Sequence, residues 1–199
     1  NSLSERYLSI QSLSQSMDLN SILSPDLRTD KVSDKFLNHF QGGSSFSRLD
    51  QLIRSDLQYY LPGDILTKID IASMANGLEL RSPMLDVNVV EWGVSLPDQY
   101  KIRGFETKHI LKDIARSLVP AELIDRPKMG FGIPRAEWLR NDMKSMLIET
   151  LTDSTAVNRG WFLPKEVKSI IDLHLGGEDR DNLLWPLLMI ELWARTWLD

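Results

Sequence analysis

The sequence contains no cysteine. That excludes a disulfide framework, a thiolate metal site and a cysteine nucleophile. Histidine is scarce, and His39, His109 and His174 lie far apart in sequence, which argues against a histidine-rich metal centre. No run approaches the roughly 18 consecutive apolar residues of a membrane span, and no secretory leader is recognisable. Positive charge is not in excess either. The net charge of −5 and isoelectric point near 5.3 do not suit a chain that holds nucleic acid through bulk electrostatics. A cytoplasmic location is the expectation compatible with these absences. The opening NSLSERYLSI has no initiator methionine and enters a helical pattern at once, so the chain is read as a piece of a longer polypeptide.

What is present is a globular composition, 42% hydrophobic and 26% charged over 199 residues, enough for one sizeable core or two small ones. Helical periodicity dominates. Apolar residues from Leu3 to Met17 fall mostly on one face, and Ser24-Pro25-Asp26 reads as an N-cap with proline at the first helical position. A short helix is expected from Asp34 to Phe40, then a loop at QGGSS, then a helix from Ser47 to Tyr60. Pro62-Gly63-Asp64 is read as a restart, followed by a helix from Ile65 to Asn76 that Gly77 closes in the left-handed region. Residues 78–83 should be extended, because Pro83 disfavours helix at Ser82. Further helices are expected over Asp86–Ser95, Thr107–Leu118, Arg135–Leu151, Pro164–Leu175 and Asn182–Leu198, with Pro186 accommodated among early amides that lack internal partners. No alternating strands and no internal repeat are found. The fold class expected is mainly α-helical, as a single domain over 1–199 with leading helices over 1–44, a site-bearing core over 45–140 and C-terminal helices over 141–199.

Four charged places fit a plain core poorly. In an extended Leu78-Glu79-Leu80-Arg81, the leucines share one side and Glu79 and Arg81 the other. The leucines are expected to anchor this stretch in the core, which would aim the carboxylate and guanidinium together, as a structural ion pair or as working groups. Asp70 lies beside the stripe of Ile65, Ile69 and Ala72 rather than opposite it, and is either a solvated aspartate or an oxygen ligand for Mg²⁺. Lys108, Lys112 and Arg116 recur at i, i+4 and i+8, a stripe that could face phosphates or simply water. The loop RPKMGFGIP sets Lys128 between prolines and glycines, under the apolar residues Met129, Phe131 and Ile133. A lysine on so constrained a backbone can be a compact cation aimed at an anion. One such charge pair at about 4 Å contributes about 4 kcal/mol at an effective dielectric near 20.

The order PGDILTKIDIASMANGLELRSPMLD, then KHILK, then LVPAELIDRPKMGFGIP with WLR just after, resembles the C-terminal synthetase domain of glutamine-hydrolysing asparagine synthetases and their amidotransferase relatives, and the closing LLWPLLMIELW is similar to that family's tail. The resemblance is strongest over about 57–140. It implies the helical C-terminal part of an α/β adenine nucleotide α-hydrolase-like (PP-loop) domain. It also implies activation of the aspartate carboxylate by ATP and Mg²⁺, then displacement of AMP by glutamine-derived ammonia to give asparagine. Carried over residue by residue, Glu79 is expected to manage protons during amine attack, Lys128 to steady the phosphate charge, Asp70 to bind Mg²⁺ with pyrophosphate, and Arg81 and Lys108 to contact substrate or nucleotide. The family's SGGxDS loop is not found in this sequence, since Gly42-Gly43-Ser44-Ser45 and Gly176-Gly177-Glu178-Asp179 lack the rest of the pattern. The pyrophosphate loop and the glutaminase domain are therefore expected upstream, and the 199 residues alone are expected to be inactive. The partners expected are small-molecule substrates, those upstream regions, and neither nucleic acid nor membrane. Self-association is expected from apolar helix faces left uncovered. Two other readings stand beside this one: a relative that amidates another carboxylate, of a polysaccharide or peptide pathway, and a non-catalytic helical binding module.

Overall fold

A computed structural model describes residues 2–12, 16–28, 46–126 and 132–199, with the side chains of 16–18 set aside. The chain gathers into two compact units, Asn1–Asp34 with Gly130–Asp199, and Lys35–Met129. Helices dominate both, as expected for the helical C-terminal part of a PP-loop synthetase domain. No helix among the described residues is long and apolar enough to cross a membrane.

The first unit holds the apolar core. Its longest helix, Asp181–Trp197, buries Leu183, Leu184, Leu187 and Leu188, an i, i+1, i+4, i+5 pattern that fills one face. Against it pack Leu147 and Leu151 from Lys144–Thr152, Val167 and Ile171 from Pro164–Leu175, and Leu139 from Arg135–Arg140. Ile22, at the end of the helix Ser16–Ile22, belongs to the same cluster. Its segment is tied in by backbone bonds from Leu163 N–H to the Ile22 carbonyl (2.7 Å) and from Ser24 N–H to the Trp161 carbonyl (2.9 Å).

Local signals set some boundaries in this unit. Ser2 and Glu5 form a reciprocal capping box before Leu3–Gln11. Asp153 caps Ser154–Arg159, which Gly160 ends at φ 71°. The helix expected from Arg135 to Leu151 is instead two helices, broken where Asn141 adopts φ −119° and ψ −94°. Ser24 gives no side-chain cap, and Pro25–Leu27 forms only one 3-10 turn. Pro186 also departs from expectation. Leu183 and Leu184 already donate to the Arg180 carbonyl, so Pro186 lies past the free amides of the first turn. The helix runs through it because the leucines on either side are buried.

The second unit is held differently: among its described residues only Ser55, Ser73 and His109 are buried, and none of the buried residues is apolar. Polar links join its helices. Lys101 Nζ donates to Asp50 Oδ1 (2.7 Å) and to the Val94 carbonyl (2.8 Å), and Ser47 Oγ donates to Asp98 Oδ1 (3.0 Å). The helix Arg48–Ser55 passes into a π-helical segment, Asp56–Leu66, and on into Thr67–Met74. Pro62 and Gly63, read from sequence as a break, sit inside this continuous helical run, where the wider turn places Thr67 Oγ1 to donate to the Pro62 carbonyl (2.7 Å).

Gly77 closes Thr67–Met74 at φ 65°, as expected. Ser82 is extended before Pro83, and the 3-10 turn Pro83–Leu85 leads into Val87–Ser95, which Asp86 caps through the Asn88 amide. Then come Asp98–Lys101 and a hairpin that the sequence did not reveal: β1 (Ile102–Arg103) pairs antiparallel with β2 (Glu106–Thr107). Helices His109–Arg116 and Ala121–Ile124 follow.

Candidate functional site

Asp70, Glu79 and Arg81 line one cleft of about 880 Å³. The helix Thr67–Met74 supplies Asp70, and Gly77 turns the chain so that Glu79 and Arg81 return to line the same cleft. Ser73 Oγ donates to the Asp70 carbonyl within the helix, and the Ser73 carbonyl accepts from Leu78 N–H, which ties the helix end to the returning chain. Apolar Ile65, Ile69 and Leu80 complete much of the lining. The cleft is thus a mixed surface with a few convergent polar groups, the usual make-up of a small-molecule site.

Glu79 and Arg81 meet as the alternation of an extended chain requires, with Arg81 Nη2 donating to Glu79 Oε1 at 2.6 Å. The pair is open to solvent, at 69% and 84% side-chain exposure. The expectation that Leu78 and Leu80 anchor this stretch in the core is not met: they are 56% and 55% exposed. The Glu79–Arg81 pair therefore contributes little to stability as it stands. Its geometry instead leaves both groups reachable from the cleft.

The donor chemistry at Asp70 suits magnesium, which takes one or two carboxylate oxygens and completes its shell with water or phosphate. Among the described residues, the carboxylate and imidazole groups close enough to share an ion are Glu106, His109 and Asp113, with ligand atoms within 4.8 Å. That cluster is already neutralised from within. Arg116 donates to Glu106 and, at 2.7 Å, to Asp113, while Lys112 Nζ lies 4.0 Å from Glu106. His109 Nδ1 donates to Glu106 Oε2 at 2.6 Å. Hydrogen bonds from Arg116 and then His109 hold the Glu106 carboxyl down at about 2, and the same bond raises Arg116 above the ordinary guanidinium range.

Lys108 is not part of the cleft lining. It stands between β2 and the helix His109–Arg116, exposed, with φ 57° and ψ 36°. The stripe expected from Lys108, Lys112 and Arg116 divides: the latter two enter ion pairs with Glu106 and Asp125, while Lys108 forms none with any described residue. Lys128 and most of RPKMGFGIP lie outside the described residues. Sequence reasoning missed Glu106. Helical spacing could show only His109, Asp113 and Arg116 on one flank of their helix, because Glu106 lies on β2 and reaches them through the hairpin.

The asparagine synthase family model matches residues 3–195. The chain belongs to the asparagine synthase family. Within that family, the chain is 31% identical over 161 residues to asparagine synthetase (glutamine-hydrolysing) 1 of Bacillus subtilis, covering 78% of this chain and 24% of that protein. A provisionally named glutamine-hydrolysing asparagine synthetase of Mycobacterium bovis is 36% identical over 147 residues, covering 72% of this chain and 22% of the relative. The human glutamine-hydrolysing asparagine synthetase is 39% identical over 72 residues, 34% of this chain and 12% of its own. The chain thus spans about a quarter of the length of the first two family members. No solved structure matches it significantly.

Proposed function

We propose that this chain carries part of the active site of an ATP-dependent amidotransferase that adenylates the side-chain carboxylate of aspartate and passes glutamine-derived ammonia to it. The observation that carries this reading is the convergence of Asp70, Glu79 and Arg81 on one cleft in a chain of the asparagine synthase family. A carboxylate oxygen of the substrate attacks the α-phosphorus of ATP and pyrophosphate departs. Ammonia then attacks the acyl carbon, the C–O bond to AMP breaks, and the nitrogen sheds a proton. In this assignment Glu79 accepts that proton, Arg81 orients its carboxylate and meets substrate, and Lys128 and Lys108 offset negative charge on the phosphates. Fixed cations at developing charge lower the barrier because they need not reorganise.

Asp70 would hold Mg²⁺, which supplies neutralisation of the departing pyrophosphate. With no cysteine in these residues, ammonia has to reach the site from outside them. The test replaces the matching segment of the Bacillus subtilis enzyme with this chain. The chimera is expected to release pyrophosphate and form asparagine from aspartate, ATP and ammonia. Oxygen-18 from the aspartate carboxylate should then appear in AMP, the mark of an acyl-adenylate. A folded chimera that adenylates a different carboxylate, or none, would overturn the assignment.

A further inference from the structure

Lys108 is the one non-glycine residue at positive φ among the described residues. An unbranched L-residue enters this region at a cost, because its Cβ crowds the following carbonyl. Glycines take the same region freely at 77, 104, 160 and 177. Lys108 has no such freedom, so its surroundings must impose the conformation.

The imposing contacts are immediately beside it. Glu106, two residues before Lys108 on β2, sends one carboxylate oxygen to His109 Nδ1 and the other to Arg116 Nη2. His109, the residue after Lys108, is only 8% exposed, and its Nε2 lies 3.4 Å from Asp113 Oδ2. Arg116 is fixed in turn by Asp113 at 2.7 Å, and Asp125 lies 3.6 Å away. Two rigid pieces, the hairpin Ile102–Thr107 and the helix His109–Arg116, are thereby locked through a single carboxylate, and residue 108 is the joint between them. On the helix side the Lys108 carbonyl accepts from Lys112 N–H at 3.0 Å, so the first helical bond starts at this strained residue.

The same network absorbs the two competing cations. Lys112 and Arg116 are occupied by Glu106, Asp113 and Asp125, whereas Lys108 forms no ion pair with a described residue. A metal ion at Glu106, His109 and Asp113 would have to displace Arg116, which already supplies the positive charge there.

We propose that Glu106 is a positioning residue for Lys108: by bridging His109 and Arg116 it holds the intervening backbone left-handed and presents the Lys108 ammonium, which no described acidic residue pairs, to an anionic substrate group of the phosphate class. The structural half stands on its own. The identity of the anion rests on the proposed nucleotide chemistry.

A double-mutant cycle on the 199-residue chain tests the structural half. Glu106→Gln is measured in the Lys108 background and in a Lys108→Gly background, by urea unfolding. Where Glu106 imposes the left-handed turn, residue 108 relaxes once the carboxylate is lost. That relief offsets part of the damage with lysine and none of it with glycine. Glu106→Gln is therefore expected to lower the unfolding midpoint more in the glycine background. Equal losses in both backgrounds would show Glu106 to be an ordinary brace and overturn the proposal. Arg116→Lys, a milder change that keeps the cation, serves the same cycle if Glu106→Gln does not fold. Amide-to-Hα coupling and Cα shift at Lys108 report its φ directly, and a left-handed signature persisting in Glu106→Gln would be equally fatal. Titration of the chimeric enzyme, which restores the regions upstream of this chain, with inorganic pyrophosphate and with MgATP separates the second half. Perturbed Lys108 resonances, lost in Glu106→Gln, support an anion of this class. A coupled cycle without any Lys108 response to either probe keeps Glu106 as the positioning residue and removes the nucleotide reading of Lys108.

Discussion

Glu191, 1% exposed, accepts hydrogen bonds from Arg159 Nε at 2.9 Å and Nη2 at 3.3 Å. Arg195, one turn further along the helix of Glu191, donates to the same carboxylate at 3.0 Å. The outer faces of the two guanidiniums are closed by Asp199 and Asp153, so the charges alternate from the core outwards. Hydrogen bonds from Arg159 hold Asp199 below the ordinary carboxylate range, and Asp153 is lowered first by the Ala156 amide and then by Arg195.

Glu191→Ala should therefore be costly. It strands two guanidiniums beside a buried cavity, and breaking a buried pair in this way costs about 3 kcal/mol or more. Asp199→Ala, at the solvent edge of the network, should cost clearly less. Urea midpoints of the two variants check the order, and equal losses would contradict a burial-graded network.

His174 gives the first unit a pH dependence. It is fully buried, its Nε2–H donates to the Ala136 carbonyl at 3.2 Å, and its Nδ1 accepts from the Arg180 amide at 3.0 Å. An accepting Nδ1 must be unprotonated. Burial, followed by the nearby Arg140 charge, lowers its pKa in spite of Asp179 and Asp181. The unfolded chain thus takes up this proton first as pH falls. Stability from His174 is complete above about pH 6.5 and declines below it, through the folded-state pKa. The difference in unfolding free energy between wild type and His174→Gln, followed from pH 8 to 5, should shrink as pH falls. A constant difference would rule this out.

The unequal cores predict unequal mutational costs. Leu184→Ala and Leu188→Ala remove fully buried side chains and should each cost about 2–5 kcal/mol. Leu80→Ala, on the exposed cleft wall, should stay within about 0.5 kcal/mol of wild type. Thermal denaturation decides it, and a large loss at Leu80 would restore the view of a buried anchor.

Charge changes on the cleft should separate folding from activity. In the chimeric enzyme, Glu79→Gln is expected to leave the melting temperature unchanged. It should depress amide formation more than pyrophosphate release, because proton removal follows adenylation. Parallel assays of both products test this, and equal depression would move Glu79 to the adenylation step.

The helical class was legible wherever a helix buries one face. Leu183 to Leu188 and Val167 to Ile171 announce their spacing because they pack. Pro164–Leu175 was bounded to the residue for the same reason. The π-helical passage through Pro62 and Gly63 was hidden because both residues ordinarily punctuate. Nor did the alternation in LELRSP say which side would meet solvent. The Glu79–Arg81 partnership followed from that alternation, whereas Glu106 needed the hairpin, a tertiary feature of only two short strands.

The backbone bonds between Ile22 and Leu163 and between Ser24 and Trp161 join the two ends of a discontinuous unit. A protease working on native chains meets the described residues 46–126 first, since none of their buried side chains is apolar and local opening is cheapest where few apolar contacts must be broken. A single cut anywhere within 46–126 would leave two peptides, with Ile22 on one still seated among the leucines of the other. The nicked molecule should migrate as two bands under denaturing electrophoresis yet elute as one species from a sizing column.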